Sequence, residues 1–596
     1  MQGDPRNYTP RSLRGRRTQP ALPGVTLPTA PIVVQSQRDA ALPQPPVKKR
    51  PRYARRAALK LLGLGALLAV VYLAMYPLLA GAVVDNGAVE QALYGVFPWL
   101  PRLFWTAWAS FLVKGLNHIS VFSLGTGKGA SGYANLLLVL LALAFVLVLI
   151  AARIGGRVAR ERLSANSKRL LLWTIFALTG MMGIIFVFAP AVMSRDLFLY
   201  AAYGRMVTVY HVNPYVVSLA TYPTQLLSAF VPKGTGVAPY GPLWIDLTLP
   251  VVVIARESVA NIMIGFRLVG LVAHLANAAL IWVILAKLKP EIRISGTLVY
   301  AWNPLVLLVG VSEMHYEIVV VFFVLLAVLF CQRNSLLPGW ICLLLAALIN
   351  ILAVLLLPLF FRLIWKEARV MRRWRRVLWW LALIVLSGAV VVLAYAPYWR
   401  GWSLAGIASG MRQVFLQDSA VNSLDAAIIH LPMGFPPFLS SIVLPHHWMI
   451  LVAVIAGCLL LLGTWLTDTL EFVLLFSSWI FLALVVLLPV NWPWYVLLPL
   501  ALAISSGNFR TTLLALLLTM GAALEYYFGL LHPLWPGQGL MTIGLPLLIW
   551  GWMLFFTSTW HMTRSDDSAQ SPAEPVKGPS FSRPSRLSWA DRRKPL

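Results

Sequence analysis

The chain is a succession of apolar blocks, most of them close to 20 residues long and nearly free of charge. Short stretches rich in arginine and lysine separate them. About 20 apolar residues in a helix cross the hydrocarbon core of a bilayer, which is roughly 30 Å thick. Backbone polar groups find no water there, so only helices and closed barrels can span it. Blocks of this length predict an all-α polytopic membrane protein. Composition agrees: 59% of residues are hydrophobic, 12% are charged, and the mean hydropathy is +0.77. Soluble domains sit near 45–50% apolar and about 25% charged. A soluble enzyme, a disordered scaffold and a disulfide-rich secreted module are all excluded. The net charge of +27 would ordinarily suggest a nucleic-acid partner. Here the basic residues lie between apolar blocks and in the tails, where they act as topology signals, and no nucleic acid is expected. Cys331, Cys342 and Cys458 all sit inside apolar blocks, which predicts neither a disulfide framework nor a zinc site.

The segments divide into a basic, disordered cytosolic tail over 1–56, a membrane domain over 57–560 and a second disordered cytosolic tail over 561–596. Basic runs at 48–56, 153–169, 287–293 and 362–376 should all lie on the cytosolic side. To satisfy them, 242–256 is read as a juxtamembrane or re-entrant piece, interrupted by Pro242 and Pro250; the alternative makes it a true crossing and 336–361 a single long helix. About 13 crossings result, within a range of 11–15, and both termini are expected in the cytosol. The long polar segments 194–241 and 397–447 then face outward. The chain is expected in the plasma membrane.

Polar chemistry collects in islands. The first reads SRDLFLYAAYGRMVTVYHVNPY from Ser194, then APYGPLW from Ala238. Ser194 is placed to cap a helix through Leu197–Thr208. On it Asp196, Tyr200 and Tyr203 share a face. A carboxylate at a membrane exit is either an interfacial residue paired with Arg195, or a general base for a hydroxyl whose partner is lipid-anchored. The second island is Trp302–Asn303–Pro304 followed by SEMHYE, with Glu313, His315 and Glu317 between apolar blocks. Ionisable residues at that depth are costly and commonly functional. The three are candidate ligands for a divalent cation, but residues so close in one chain make poor metal geometry alone. No cofactor is expected and a cation is not favoured. Arg267 and His274 fall on one helical face inside 261–286, where an arginine avoids lipid and suits a phosphate. NWPWY at 491–495 reads equally well as an aromatic belt. There is no P-loop and no nucleophile elbow. Any donor must arrive already activated, on a lipid.

These islands resemble the polyprenyl-phosphomannose-dependent α-(1→6)-mannosyltransferases of bacterial envelopes, of the GT-C class of integral-membrane glycosyltransferases. The likeness is carried by Arg195–Asp196, Tyr200–Ala201–Ala202, Pro214–Tyr215, Tyr240–Gly241–Pro242–Leu243–Trp244, the run WNPLVLLVGVSEMHYE and NWPWYVLLPLALA. It spans about Trp173 to Ser505, which makes 170–505 the catalytic module and 61–152 an added leading hairpin. Two departures stand out: Glu317 where the family has Asp, and Ser312–Glu313 where it has a Gly pair.

The resemblance implies an inverting transfer of a sugar, mannose in that family, from a polyprenyl-phosphate donor to a glycan or glycolipid acceptor on the outer face. Asp196 would be the general base. Arg205, Arg267 and His315 would meet the donor phosphate. Tyr200, Tyr203, His211, Tyr240, Trp244 and Glu317 would line the sugar and acceptor sites. The competing class is a lipid-linked-sugar flippase or another transporter without chemistry. That reading would place charges near the midplane between repeated halves, whereas here they gather at the outer ends and no repeat is visible.

Overall fold

The structure, a computed structural model, describes residues 51–79, 88–99, 130–160, 164–189, 194–222, 226–232, 234–399, 422–429, 445–531 and 537–555. Residues 1–50 and 556–596, which hold nearly all of both expected tails, lie outside these. So does most of 397–447. Among the described residues every regular element is helical and no strand occurs. The expected N-terminal tail is shorter than read from charge alone, because the first helix already starts at Pro51 and runs to Leu79. Proline is well suited to a helix's first turn, where its missing N–H is not needed.

Eight described helices are long and apolar enough to cross a membrane. A ninth span forms if Pro290–Ala301 and Pro304–Ser312, bent by 50° at Trp302–Asn303, count as one. Five further apolar helices, among them Pro242–Ala255, Glu317–Gln332 and Pro493–Ser506, are too short for the same test. The expected number of about 13 is therefore not reached by full-length helices among the described residues. The reason is local: prolines and a wide helical turn break apolar blocks that look continuous in the sequence. Two termini on one side also demand an even number of crossings, which 13 is not. Pro242–Ala255 has 14 residues, about 21 Å of helix at 1.5 Å per residue, short of the hydrocarbon core.

Many apolar side chains face outward. In Arg373–Tyr398 only 11% of the most apolar window is covered by protein, and Leu378, Leu381, Ile384 and Val392 are exposed. A surface of that kind is stable against lipid and not against water. This is a membrane protein.

The two ends of the bundle differ. At one end Lys289 pairs with Glu471 at 3.2 Å and Lys366 with Asp468 at 2.9 Å. Lys287 Nζ donates to the Gln332 carbonyl, and Gly155 packs on Ile294 and Ser295. The arginine-rich stretches 153–169 and 362–376 adjoin these contacts. At the other end the Gly241 N–H donates to the Ile349 carbonyl, Asn213 Nδ2 to the Tyr398 carbonyl, and Asn422 Nδ2 to the Asn491 carbonyl. The polar islands of the sequence meet at this second end.

Buried polar joints hold the frame. Trp302 donates from Nε1 to Thr179 Oγ1 at 3.1 Å and accepts from the Tyr72 hydroxyl at 2.6 Å. Asn303 caps the next turn, accepting from the N–H groups of Leu305 and Val306, and donates to Thr519. Thus Trp302–Asn303–Pro304 is a structural corner, tying the leading helix Pro51–Leu79 to the module behind it.

Candidate active site

Asp196 opens the helix Asp196–Thr208. Its own N–H donates to Ser194 Oγ at 3.2 Å, while Arg195 occupies the cap position without a side-chain cap bond. The expected role of Ser194 is therefore met one residue off: it steadies Asp196, not the second turn. A carboxylate in a first helical turn is favoured by the helix dipole. Side-chain exposure of 31% leaves Asp196 open to an incoming group.

The helix lies against Pro242–Ala255 through Gly204, where a Cβ would meet Thr248 Oγ1 at 2.7 Å and Val252 at 3.0 Å. Tyr200, one turn after Asp196, is fully buried. Its ring meets Tyr240 edge-on at 5.0 Å, Trp244 at 5.2 Å and Tyr316 at 5.9 Å. The Tyr200 hydroxyl and the Trp244 indole N–H are buried with no hydrogen-bond partner among the described residues. Tyr203 is committed elsewhere: its hydroxyl lies 3.0 Å from the carbonyls of Gly236 and Val237, holding the strand of chain that leads into Tyr240. Gly241 is needed at the turn that follows, because a Cβ there would run into the Leu348 carbonyl.

His315 arrives from a distorted segment. Leu308–Ser312 forms a single π-helical turn, a geometry common at functional sites. Met314 then takes φ +51°, a conformation that costs a non-glycine residue of order 1–3 kcal/mol unless its surroundings impose it. The result sets the imidazole, wholly buried, between two carboxylates. Nδ1 is 3.5 Å from Asp196 Oδ2 and Nε2 is 3.3 Å from Glu313 Oε2. The ring stacks on Trp494 at 3.5 Å with planes 14° apart, and Trp494 stacks in turn on Trp492.

Burial works against a charged His315, but the carboxylates of Glu313, Asp196 and Glu317 outweigh it and hold its pKa above the ordinary value. The pKa of Asp196 is raised, first by the protein packed around it and then by Glu313, with His315 and Ser194 pulling the other way. The carboxylate is thus crowded enough to be a stronger base than a free aspartate, yet reachable.

Six expected site residues meet here: Asp196, Tyr200, Tyr240, Trp244, His315 and Glu317. Four do not, and the first, Tyr203, is spent on the carbonyls of Gly236 and Val237. Arg205 sits nine residues along the same helix, about 14 Å away by rise, and pairs with Glu257 at 3.1 Å. Arg267 is fully buried and donates to the carbonyls of Ser312, Val187 and Ala189 at 2.6, 3.0 and 2.5 Å. It works as a strut under the π-helical turn. His211 is exposed beyond the helix end, at φ +53°. Neither guanidinium offers its fork to a phosphate in this arrangement. Sequence reasoning placed Trp494, Tyr495 and Tyr316 in belts or turns. The signals for Trp494 were the density of aromatics in NWPWY and the likeness of that run to the family's late motif. Among the described residues no three His, Cys, Asp or Glu side chains are arranged to hold a metal ion.

Beside the cluster lies a small, mostly apolar cavity lined by Glu317, Asn350, Tyr495, Ala353, Phe481, Leu484 and Val485.

Residues 105–367 match the sequence profile of a family described as alpha-(1->6)-mannopyranosyltransferase, N-terminal domain. The chain is a glycosyltransferase, similar over this stretch to that mannosyltransferase family. The match takes in Asp196, the aromatic box and His315. It also takes in the helix Ala130–Ala159, part of the leading hairpin. Trp494 lies beyond it. No curated protein matches the chain. Mannosyl transfer requires a sugar donor and a glycan acceptor.

Proposed function

We propose that this glycosyltransferase takes mannose from a polyprenyl-phosphate donor and passes it to a hydroxyl of a glycan or glycolipid, with inversion at the anomeric carbon and Asp196 as general base. The observation that carries this is the meeting of three features. A half-open carboxylate stands at a helix start, beside a box of aromatic rings with unpaired donors, at the end of a bundle whose apolar outer surface suits lipid. A site so placed on a membrane protein suits a lipid-anchored donor better than a water-borne nucleotide sugar.

The acceptor oxygen attacks the anomeric carbon as its bond to the phosphate oxygen breaks. The hydroxyl proton goes to Asp196 and the phosphate leaves with the bonding pair. General-base help of this kind is worth about 10²–10⁴-fold. The Tyr200 hydroxyl and the Trp244 N–H are positioned to meet sugar hydroxyls, and the rings of Tyr240 and Tyr316 to pack on sugar faces. Arg195, adjoining the base and partly exposed, is the cation nearest Asp196 along the chain. Charge stabilisation on the leaving phosphate would fall to it and to the first-turn N–H groups of the helix. The arginine-rich end of the bundle belongs in the cytosol by the positive-inside rule, which puts the site on the outer face and leaves the isoprenoid in the bilayer.

The test is donor competition in proteoliposomes. Labelled polyprenyl-phosphomannose and labelled nucleotide mannose are offered with a short α-mannoside acceptor. Transfer from the lipid donor alone is expected. Transfer from the nucleotide donor alone would overturn the lipid-donor reading, and transfer from neither, with other polyprenyl-phosphate sugars also inert, would turn the balance to transport.

A further inference from the structure

His315 was expected at the donor phosphate, yet both its ring nitrogens face carboxylates. We propose that Glu313 and His315 are positioning residues for Asp196: Glu313 anchors the far side of the imidazole as a cation, and the imidazolium aligns the Asp196 carboxylate as proton acceptor. This rests on the reading of Asp196 as the base.

The geometry is a line of three groups. Glu313 Oε2, His315 Nε2, His315 Nδ1 and Asp196 Oδ2 follow one another with contacts of 3.3 and 3.5 Å. Glu313 is 3% exposed and His315 not at all, whereas Asp196 is the open end. The ring cannot turn away, because Trp494 covers its face at 3.5 Å. A carboxylate at ion-pair distance from each nitrogen favours the doubly protonated form by charge, although neither contact has hydrogen-bond geometry. A buried cation also offsets the repulsion among Asp196, Glu313 and Glu317, which would otherwise drive a proton onto one of them.

The groups around His315 come from five elements. Asp196 stands on its own helix, Glu313 on the turn and Glu317 at the start of Glu317–Gln332. Trp494 and Tyr495 come from the 493–496 turn. Tyr526, from Phe509–Leu531, reaches Glu313. Burial pushes the phenol of Tyr495 further above its ordinary range. Through the titration of a histidine the charged neighbours are Asp196 and Glu313, while Glu317, pushed up to about 7 chiefly by burial, titrates in the same range.

This arrangement has a signature that simple packing lacks. Asp196 must be ionised, which sets the acid limb of the pH–rate profile, and His315 must stay protonated, which sets the alkaline limb. The alkaline limb of the unmodified enzyme should lie above the ordinary histidine value of about 6.5. Glu313→Gln keeps the shape and removes the charge, so the alkaline limb should move down by about one pH unit or more. His315→Gln removes the cation beside Asp196. The alkaline limb should disappear and the acid limb should move to higher pH, with a loss in rate at neutral pH.

The experiment is the pH dependence of kcat for the full chain in liposomes, for the unmodified enzyme, Glu313→Gln and His315→Gln, with monodispersity in detergent as the folding control. Limbs that stay in place while the rate falls evenly in Glu313→Gln would overturn the proposal and leave a packing role. An unmodified enzyme whose rate falls through pH 6.5 would overturn it without any variant. Asp196→Asn run in parallel separates the two readings. If that variant transfers sugar normally, the base assignment fails. If it is inactive while Glu313→Gln leaves the limbs fixed, only the positioning of Asp196 by Glu313 and His315 fails.

Discussion

At the scale of single residues, the site divides side chains that face an incoming substrate from side chains consumed by the frame. The split was only partly legible in the sequence. Asp196 and Tyr200 could be placed on one face because four residues complete about one helical turn. The same reasoning put Arg267 inside the bundle, which is where it lies. What it could not supply was the partner. An arginine buried in a membrane protein needs acceptors, and those of Arg267 are carbonyls at 187, 189 and 312, between 45 and 80 residues away. No local pattern records such a contact. Arg267→Met should therefore act on the fold. Each carbonyl left bare costs about 1–3 kcal/mol, so the melting temperature in detergent should drop and less folded protein should accumulate. A variant of unaltered stability with a raised KM for the lipid donor would instead restore the phosphate role.

At the scale of elements, the short helices matter more than the long ones. The spanning blocks were legible because a lipid-facing helix must be apolar over its whole length. The breaks were not. Pro304 and the π-helical turn after it interrupt a run that reads as one helix, and they turn Glu313 and His315 toward Asp196. The pairing of Trp494 with His315 joins positions 179 residues apart, which no periodicity reports. The helix Asp196–Thr208 stands where it does because Gly204 lets it approach Pro242–Ala255, and because Gly241 lets the preceding turn touch the end of Leu336–Ile349. Gly241→Ala should push Tyr240 and Trp244 out of the aromatic box at a cost of about 1–3 kcal/mol, seen as a loss of transfer in protein that remains monodisperse. Gly180→Ala is the control: a Cβ there meets nothing within 4 Å, and transfer should be unaffected. Equal activity in both variants would mean that the turn tolerates displacement and the box does not need it.

At the scale of the whole molecule, the protein keeps its cationic loops at one end and its polar and aromatic chemistry at the other. Charge runs alone revealed the first half of that asymmetry, through the positive-inside rule. The second half needed the fold, since the islands near 196, 241, 315, 398 and 494 meet only when the bundle closes. Every part of this account converges on one oxygen, the Asp196 carboxylate. The most direct test is mannosyl transfer from polyprenyl-phosphomannose to a short α-mannoside by the full chain in liposomes, with the unmodified enzyme and Asp196→Asn at equal protein levels. The account predicts that transfer by the variant falls by about 10²–10⁴-fold while its melting temperature is maintained. Transfer by Asp196→Asn at the rate of the unmodified enzyme would contradict it.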